Sequence, residues 1–232
     1  MLSKYFLRLN RPFNYLRSFG FFRQFVGSKK LFFDIGANIG NRTRVFVKLG
    51  VKVISVEPQP DCADLLEKKF SGYDVVVVRK GIGKEVGEMK MSVCDSEKGL
   101  STFSDKWKTG RFKDFKFNRE ISVSMITLDE LINEFGQPDF CKIDVEGFES
   151  EVFDGLTKKI DCVNFEFTSE FLDNAKKCAA RLVSIGFKEF NFTLGERPSF
   201  VLNDWKNQND LFVDLRERMA KNNDLWGDIY AR

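Results

Sequence analysis

Residues 31–41 read Leu-Phe-Phe-Asp-Ile-Gly-Ala-Asn-Ile-Gly-Asn, an apolar run that breaks into two glycines and continues with helical spacing. A short apolar run of this kind suits a strand buried on both faces, and such strands belong to parallel sheets covered by helices. Glycines let the chain turn sharply and let its backbone approach a ligand, while the amides that open the next helix are unpaired donors. The alternation recurs downstream. Residues 51–56, 74–78, 140–145, 162–167 and 187–193 read as strands, and 41–49, 61–70, 148–156, 172–185 and 210–221 as helices. Between them, 89–93 and 121–125 alternate as strands do, and Thr127-Leu-Asp-Glu130 is a capping box opening a further helix. Residues 200–202 read as a last short strand, and 225–232 as a tail anchored by Trp226 and Tyr230. The expected fold is α/β, a Rossmann-like, doubly wound and mostly parallel sheet.

With 232 residues the chain suffices for one well-buried domain. The expected organisation is an N-terminal extension over 1–30, a catalytic domain over 31–204, and a C-terminal helix and tail over 205–232 packed on it. The extension carries seven Lys and Arg and no acid, leaving the remainder net acidic. A basic, Phe-rich leader can lie on an anionic membrane surface or pack on the domain as a helix, and the charges interrupting its apolar face favour packing. No stretch reaches the ~20 apolar residues of a membrane span, and no secretion signal is evident, so a cytoplasmic location is expected. The twenty-six phenylalanines read mostly as core filler. The five cysteines are scattered and never spaced Cys-x-x-Cys, and the chain has no histidine. A zinc site is therefore not expected, and imidazole-based nucleophilic catalysis is excluded.

The glycine spacing is Gly36-x-x-x-Gly40, not the Gly-x-Gly-x-x-Gly of a dinucleotide cradle. An acid inside the turn, Asp34, would repel a diphosphate, yet it can orient the loop or accept from a cationic ligand. That charge logic favours S-adenosylmethionine over NAD. Glu57 closes the second strand 23 residues after Asp34, where an acid can accept ribose hydroxyls, and Pro58 ends the strand.

These residues resemble the FkbM family of S-adenosylmethionine-dependent methyltransferases. The matching pieces are Phe33-Asp-Ile-Gly-Ala-Asn-Ile-Gly40, Val56-Glu-Pro58, Lys80-Gly-Ile-Gly83 with Gly87-Glu-Met89, Thr127-Leu-Asp129 and, most specific, Lys142-Ile-Asp-Val-Glu-Gly-Phe-Glu149. The resemblance runs over about residues 31–195. It implies a class I methyltransferase fold with a reversed strand near the C-terminus, and O-methylation of a small molecule or sugar. It also implies that Asp34, Gly36, Asn38 and Gly40, with Ala37 and Asn41 beside them, flank the methionine part of the cofactor. Glu57 and Pro58 would meet the ribose, and Gly81 and Ile82 the adenine. Asp144 and Glu146 fall at the carboxyl end of the fourth strand, with Lys142 on it.

Strand alternation would put Lys142, Asp144 and Glu146 on one side, either as an edge ion-pair cluster or as one wall of a cleft. Methyl transfer from a sulfonium is a displacement whose main demand is alignment, and a base must take the acceptor's proton. Without histidine the bases on offer are Asp144, Glu146, Glu166 and, less suited, Lys142; Asp144 is the expected one. No metal is called for, although carboxylates alone could hold one. Residues 103–117 interleave Lys106, Lys108, Arg111, Lys113 and Lys116 with Trp107, Phe112, Phe115 and Phe117. They suit an acceptor lid for an acidic sugar, or equally a solvated loop. The alternatives are a nicotinamide-dependent oxidoreductase and a non-catalytic protein binding RNA or lipid through its basic stretches. Nucleic acid is not the expected partner.

Overall fold

The computed structural model describes residues 15–109 and 112–232. Seven strands form the main sheet in the order β3 (Val75–Val78), β2 (Lys52–Val56), β1 (Leu31–Ile35), β7 (Phe140–Ile143), β8 (Cys162–Thr168), β10 (Trp226–Ala231) and β9 (Phe190–Phe192). β1 pairs in parallel with both β2 and β7, and β7 with β8. β10 is antiparallel to β8 and β9, which makes it the reversed strand. The tail that reads as an anchor is therefore a strand inserted between two others. Ile229, Tyr230 and Ala231 are buried there, a depth that local pattern could not give because β9 comes earlier in the chain.

Every residue of β1 and β8 is buried, as expected for strands covered on both faces. One face carries Phe33, Ile54, Cys141, Val163 and Phe165, packed against α5 (Leu128–Phe135), α6 (Glu149–Asp154) and α7 (Leu172–Ser184). The other carries Phe32, Val53, Phe140, Cys162 and Tyr230, under α1 (Tyr15–Phe22) and α2 (Asn41–Lys48). On that face Phe25 stacks on Phe140 at 4.8 Å and on Tyr230 at 5.7 Å, with Phe21 and Phe22 edge-on beside them. The end of the N-terminal extension thus closes the sheet with aromatic rings, which accounts for several of the phenylalanines. Residues 1–14, with Lys4, Arg8 and Arg11 of the basic leader, lie outside the described residues, as does Arg111.

A second sheet, β4 (Gly81–Ile82), β6 (Arg119–Ile126) and β5 (Gly87–Val93), stands beside the first, its β5–β6 pair antiparallel. α5 opens on the capping box: Glu130 N donates to Thr127 Oγ1 and Thr127 N to Glu130 Oε2, both at 3.1 Å. The remaining helices are α3 (Pro60–Lys69), α4 (Asp105–Thr109) and α8 (Gln208–Lys221).

Two expectations are corrected. Residues 200–202 form no strand, because the Asn191 side chain takes the Leu202 N–H and carbonyl that a ladder would have used. The strand expected over 140–145 stops at Ile143, because the chain turns through positive φ at Glu146 (53°) and Gly147 (91°). Among the described residues no helix is long and apolar enough to cross a membrane.

Candidate active site

The sheet order reverses between β1 and β7, and a crevice opens at the carboxyl ends of these strands, the place where open α/β sheets receive ligands. The loop from β1 to α2 forms one wall, with Gly36, Ala37, Asn38 and Asn41 lining it. It turns through positive φ at Gly36 (74°), Asn38 (48°) and Gly40 (78°), and the amides of Gly36 and Ala37 both donate to Val56 O at 3.0 Å. Gly36 has no alternative: a β-carbon there would overlap the carbonyl oxygen of Asp144. α2 then starts at Asn41 with no side-chain cap from Gly40.

Glu57 stands at the end of β2 and is 2% exposed. Its Oε2 accepts from Asn38 N at 2.8 Å and its Oε1 from Gln59 N at 2.9 Å, so each oxygen keeps a lone pair for another donor. Burial pushes its pKa above the ordinary carboxylate range, while these amides and Lys142 hold it back.

Asp34 does not line the crevice. It is fully buried, accepts from Thr43 Oγ1 at 2.6 Å and lies 3.5 Å from Lys142 Nζ. Lys142 Nζ also lies 3.3 Å from Asp144 Oδ2 and donates to Gly36 O at 3.5 Å. Burial works against the charge on Lys142, but Asp144 and Asp34 outweigh it and hold the ammonium above its ordinary range. Such a group is a counter-ion, not a proton acceptor. Asp34 therefore acts on the crevice through Lys142 and the first turn of α2.

Beyond Lys142 the structure gathers three carboxylates. Oxygens of Asp144, Glu146 and Glu166 lie within 4.8 Å of one another. Asp144 and Glu146 come from the turn after β7 and Glu166 from β8, so the set owes its existence to strand pairing. Carboxylates this close can share a proton or a divalent cation. Across from Glu166 in the β8–β10 register stands Asp228, partly exposed, its pKa pushed up to about 6 by burial against the pull of Arg42.

The methyltransferase FkbM domain matches residues 34–223. The chain belongs to that family. The match extends past residue 195, where the resemblance read from sequence ended, and takes in the whole of α8. A curated relative, the hexuronic acid methyltransferase AglP of Haloferax volcanii, is 27% identical over 137 residues, covering 57% of this chain and 52% of the relative. The chain thus spans about half the length of that relative. Among solved structures, the precorrin-6y C5,15-methyltransferase of Geobacter metallireducens is 12% identical, with a TM-score of 0.46, over 94% of this chain and 86% of that one. The plantazolicin methyltransferase BpumL, solved with SAH, is 8% identical, with a TM-score of 0.45, over 99% and 88%. No site residue is carried over from either. Membership places the chain in a methyltransferase family, the sheet order gives it the class I, Rossmann-like fold, and neither supports the oxidoreductase alternative.

Within the FkbM domain the sequence-predicted residues divide. Gly36, Ala37, Asn38, Asn41, Glu57, Pro58, Lys142, Asp144 and Glu146 all line the crevice. Gly40 stands behind the loop, where a β-carbon would press on Phe70. Gly81 and Ile82 are buried in β4 against Met125 and Ile126, away from the lining. Sequence reasoning missed the wall made by Met91, Phe103 and residues 98–101, and the Arg42–Glu196 ion pair at 2.9 Å. The signal for Arg42 was available, since it stands in the first turn of the helix after the glycine loop. The 98–101 segment is clipped to the β2–α3 loop by Gln59, whose amide donates to Lys98 O and accepts from Ser101 Oγ, both at 3.0 Å. Nothing local announces that contact. Trp107 and Phe112 of the basic aromatic stretch are buried with Leu100 and Cys94, while Lys106 and Lys113 are exposed.

Proposed function

We propose that this FkbM methyltransferase binds S-adenosylmethionine in the crevice and methylates a hydroxyl of a carbohydrate or related small molecule, with Asp144 as the base. The residues fit such a cofactor. Glu57 keeps lone pairs for ribose hydroxyls, the loop from Gly36 to Asn41 supplies close backbone beside an uncapped helix start, and Arg42 offers a cation to a carboxylate. When bound, the cofactor supplies a methyl group on a sulfonium, which an acceptor oxygen displaces to leave a neutral thioether. The chain's own work is alignment and proton removal. Lys142, 3.3 Å away, pairs with Asp144 and orients it, and Glu146 and Glu166 stand near enough to share the proton that Asp144 receives.

The gathering of Asp144, Glu146 and Glu166 beside the glycine loop carries this reading, because an oxygen acceptor needs a base and the chain has no imidazole. The name of the relative AglP supports a sugar acid as the first acceptor to try.

The test is transfer of label from methyl-labelled S-adenosylmethionine to glycosides of uronic acids and to cell-extract fractions. Asp144→Asn is expected to slow transfer by roughly 10²–10⁴-fold with adenosylhomocysteine affinity unchanged. Glu57→Ala is expected to weaken that affinity by about 10- to 100-fold. Transfer to no acceptor, together with salt-sensitive RNA or lipid binding, would favour the non-catalytic reading instead.

A further inference from the structure

The turn that carries Asp144 and Glu146 is unusual backbone. Glu146 is held at φ 53° although it has a β-carbon, and Gly147 follows at 91°. A conformation of this kind persists only where its surroundings over-determine it. From outside, Thr102 Oγ1 donates to Glu146 O at 2.8 Å, and the Trp107 ring lies so close that a β-carbon on Gly147 would come within 2.8 Å of it. From inside comes one side chain, Glu149, 2% exposed. Its Oε1 accepts two amides of the turn, Val145 N at 3.3 Å and Gly147 N at 3.1 Å, while its Oε2 accepts from Asn174 Nδ2 of α7 at 3.2 Å. On its other side the turn meets the glycine loop: Asp144 N donates to Ile35 O at 3.1 Å, and Gly36 has no room for a side chain beside Asp144 O.

We infer that Glu149 is a positioning residue, whose single oxygen, by holding the amides that directly follow Asp144 and Glu146, fixes the direction in which those two carboxylates face the crevice. The inference rests on the reading above for what Asp144 does, but not for where it points. A carboxylate that accepts the amides of Val145 and Gly147 constrains the 144–145 and 146–147 peptide planes, the ones that directly follow Asp144 and Glu146. Asn174 in turn ties that carboxylate to α7, so the turn is referred to the body of the fold and not to the segment above it. Without Glu149 the two amides would be left without their acceptor in a half-buried place, and Glu146 would have less reason to stay at positive φ. Glu149 touches no reacting atom. It acts through the backbone of the residues that do.

The test compares Glu149→Ala with Glu149→Gln in the full chain by amide hydrogen exchange. Glutamine keeps an oxygen in the same place and can accept both amides, so protection at Val145 and Gly147 is expected within about twofold of wild type. Alanine removes the acceptor. Exchange at those two amides should then accelerate at least tenfold, while amides of β1 and β8 keep their protection. Should the alanine variant not fold, Glu149→Asp withdraws the oxygen by one methylene and asks the same question. With an acceptor in hand, alanine is expected to lower kcat at least tenfold with cofactor KM within twofold, and glutamine to restore it. Unchanged exchange at Val145 and Gly147 in the alanine or aspartate variant would overturn the inference, as would equal damage from alanine and glutamine. Failure to find any acceptor would count against the proposed function only, since the exchange experiment needs no turnover.

Discussion

Two of the crevice's walls are built by different logics. The glycine-loop wall comes from β1, β2 and the turns that leave them. It is short in sequence and local in structure, and one strand–turn–helix passage fixes Gly36, Asn38 and Asn41 relative to one another. The carboxylate wall is assembled from afar: Asp144 and Glu146 after β7 and Glu196 in the turn after β9 line it, Glu166 on β8 brings an oxygen within 4.8 Å of the first two, and Asp228 on β10 stands across from Glu166. Its members meet only through strand register and the insertion of a reversed strand. A function carried by a local passage can be read from residues in a row, whereas one carried by register needs the sheet.

Lys142 joins the walls, and breaking that joint should give the largest effect. Its ammonium lies 3.5 Å from Asp34 and 3.3 Å from Asp144. Lys142→Met would strand a fully buried carboxylate without its cation, at a cost of about 3–5 kcal/mol in urea unfolding. Adding Asp34→Asn should recover part of the loss, because the two changes share one partner and are not additive. An unchanged midpoint in Lys142→Met would mean that the walls are independent, and the comparison would lose its physical basis.

The legibility of the two walls follows the same division. The strands and helices around the glycine loop, the acid at the end of β2 and the capping box of α5 all stand where their local patterns put them. Gly81 and Ile82 do not reach the crevice, because β4 turns aside to pair with β6, a contact no local pattern records. Asp228 and β10 were illegible for a related reason. A strand's place in a sheet depends on its partners, and β10 follows α8 at the far end of the chain. Lys142, Asp144 and Glu146 were expected along one strand. They do come together, but through a turn at positive φ that period-2 alternation cannot foresee.

An effect of intermediate size separates the walls by pH. Burial pushes the Glu149 carboxyl up to about 7 and that of Asp228 to about 6, the first bonded to the turn that carries Asp144 and the second across from Glu166. For an acid whose folded-state pKa is raised, the folded protein holds its proton after the unfolded chain has released it. Stability is then greatest below the unfolded value near 4.5 and falls as pH rises toward 7, above which both states are ionised and the loss is complete. For Glu149 the loss is on the order of 3 kcal/mol. Glu149→Gln should remove that part of the slope between about pH 4.5 and 7, leaving a smaller one from Asp228. Thermal unfolding at a series of pH values measures both, and parallel curves for wild type and variant would contradict this account.

The smallest effect belongs to neither wall and serves as their reference. Thr127 caps α5 through two reciprocal bonds, a motif as readable as the glycine loop yet remote from the crevice residues. Thr127→Ala should cost about 1 kcal/mol, with no change in adenosylhomocysteine binding. Because Thr127 shares no hydrogen-bond partner with Lys142, its loss should add to that of Lys142→Met within about 0.5 kcal/mol. A larger coupling would mean that α5 senses the state of the joint, and that the sheet transmits strain between regions which, by their bonds, stand apart.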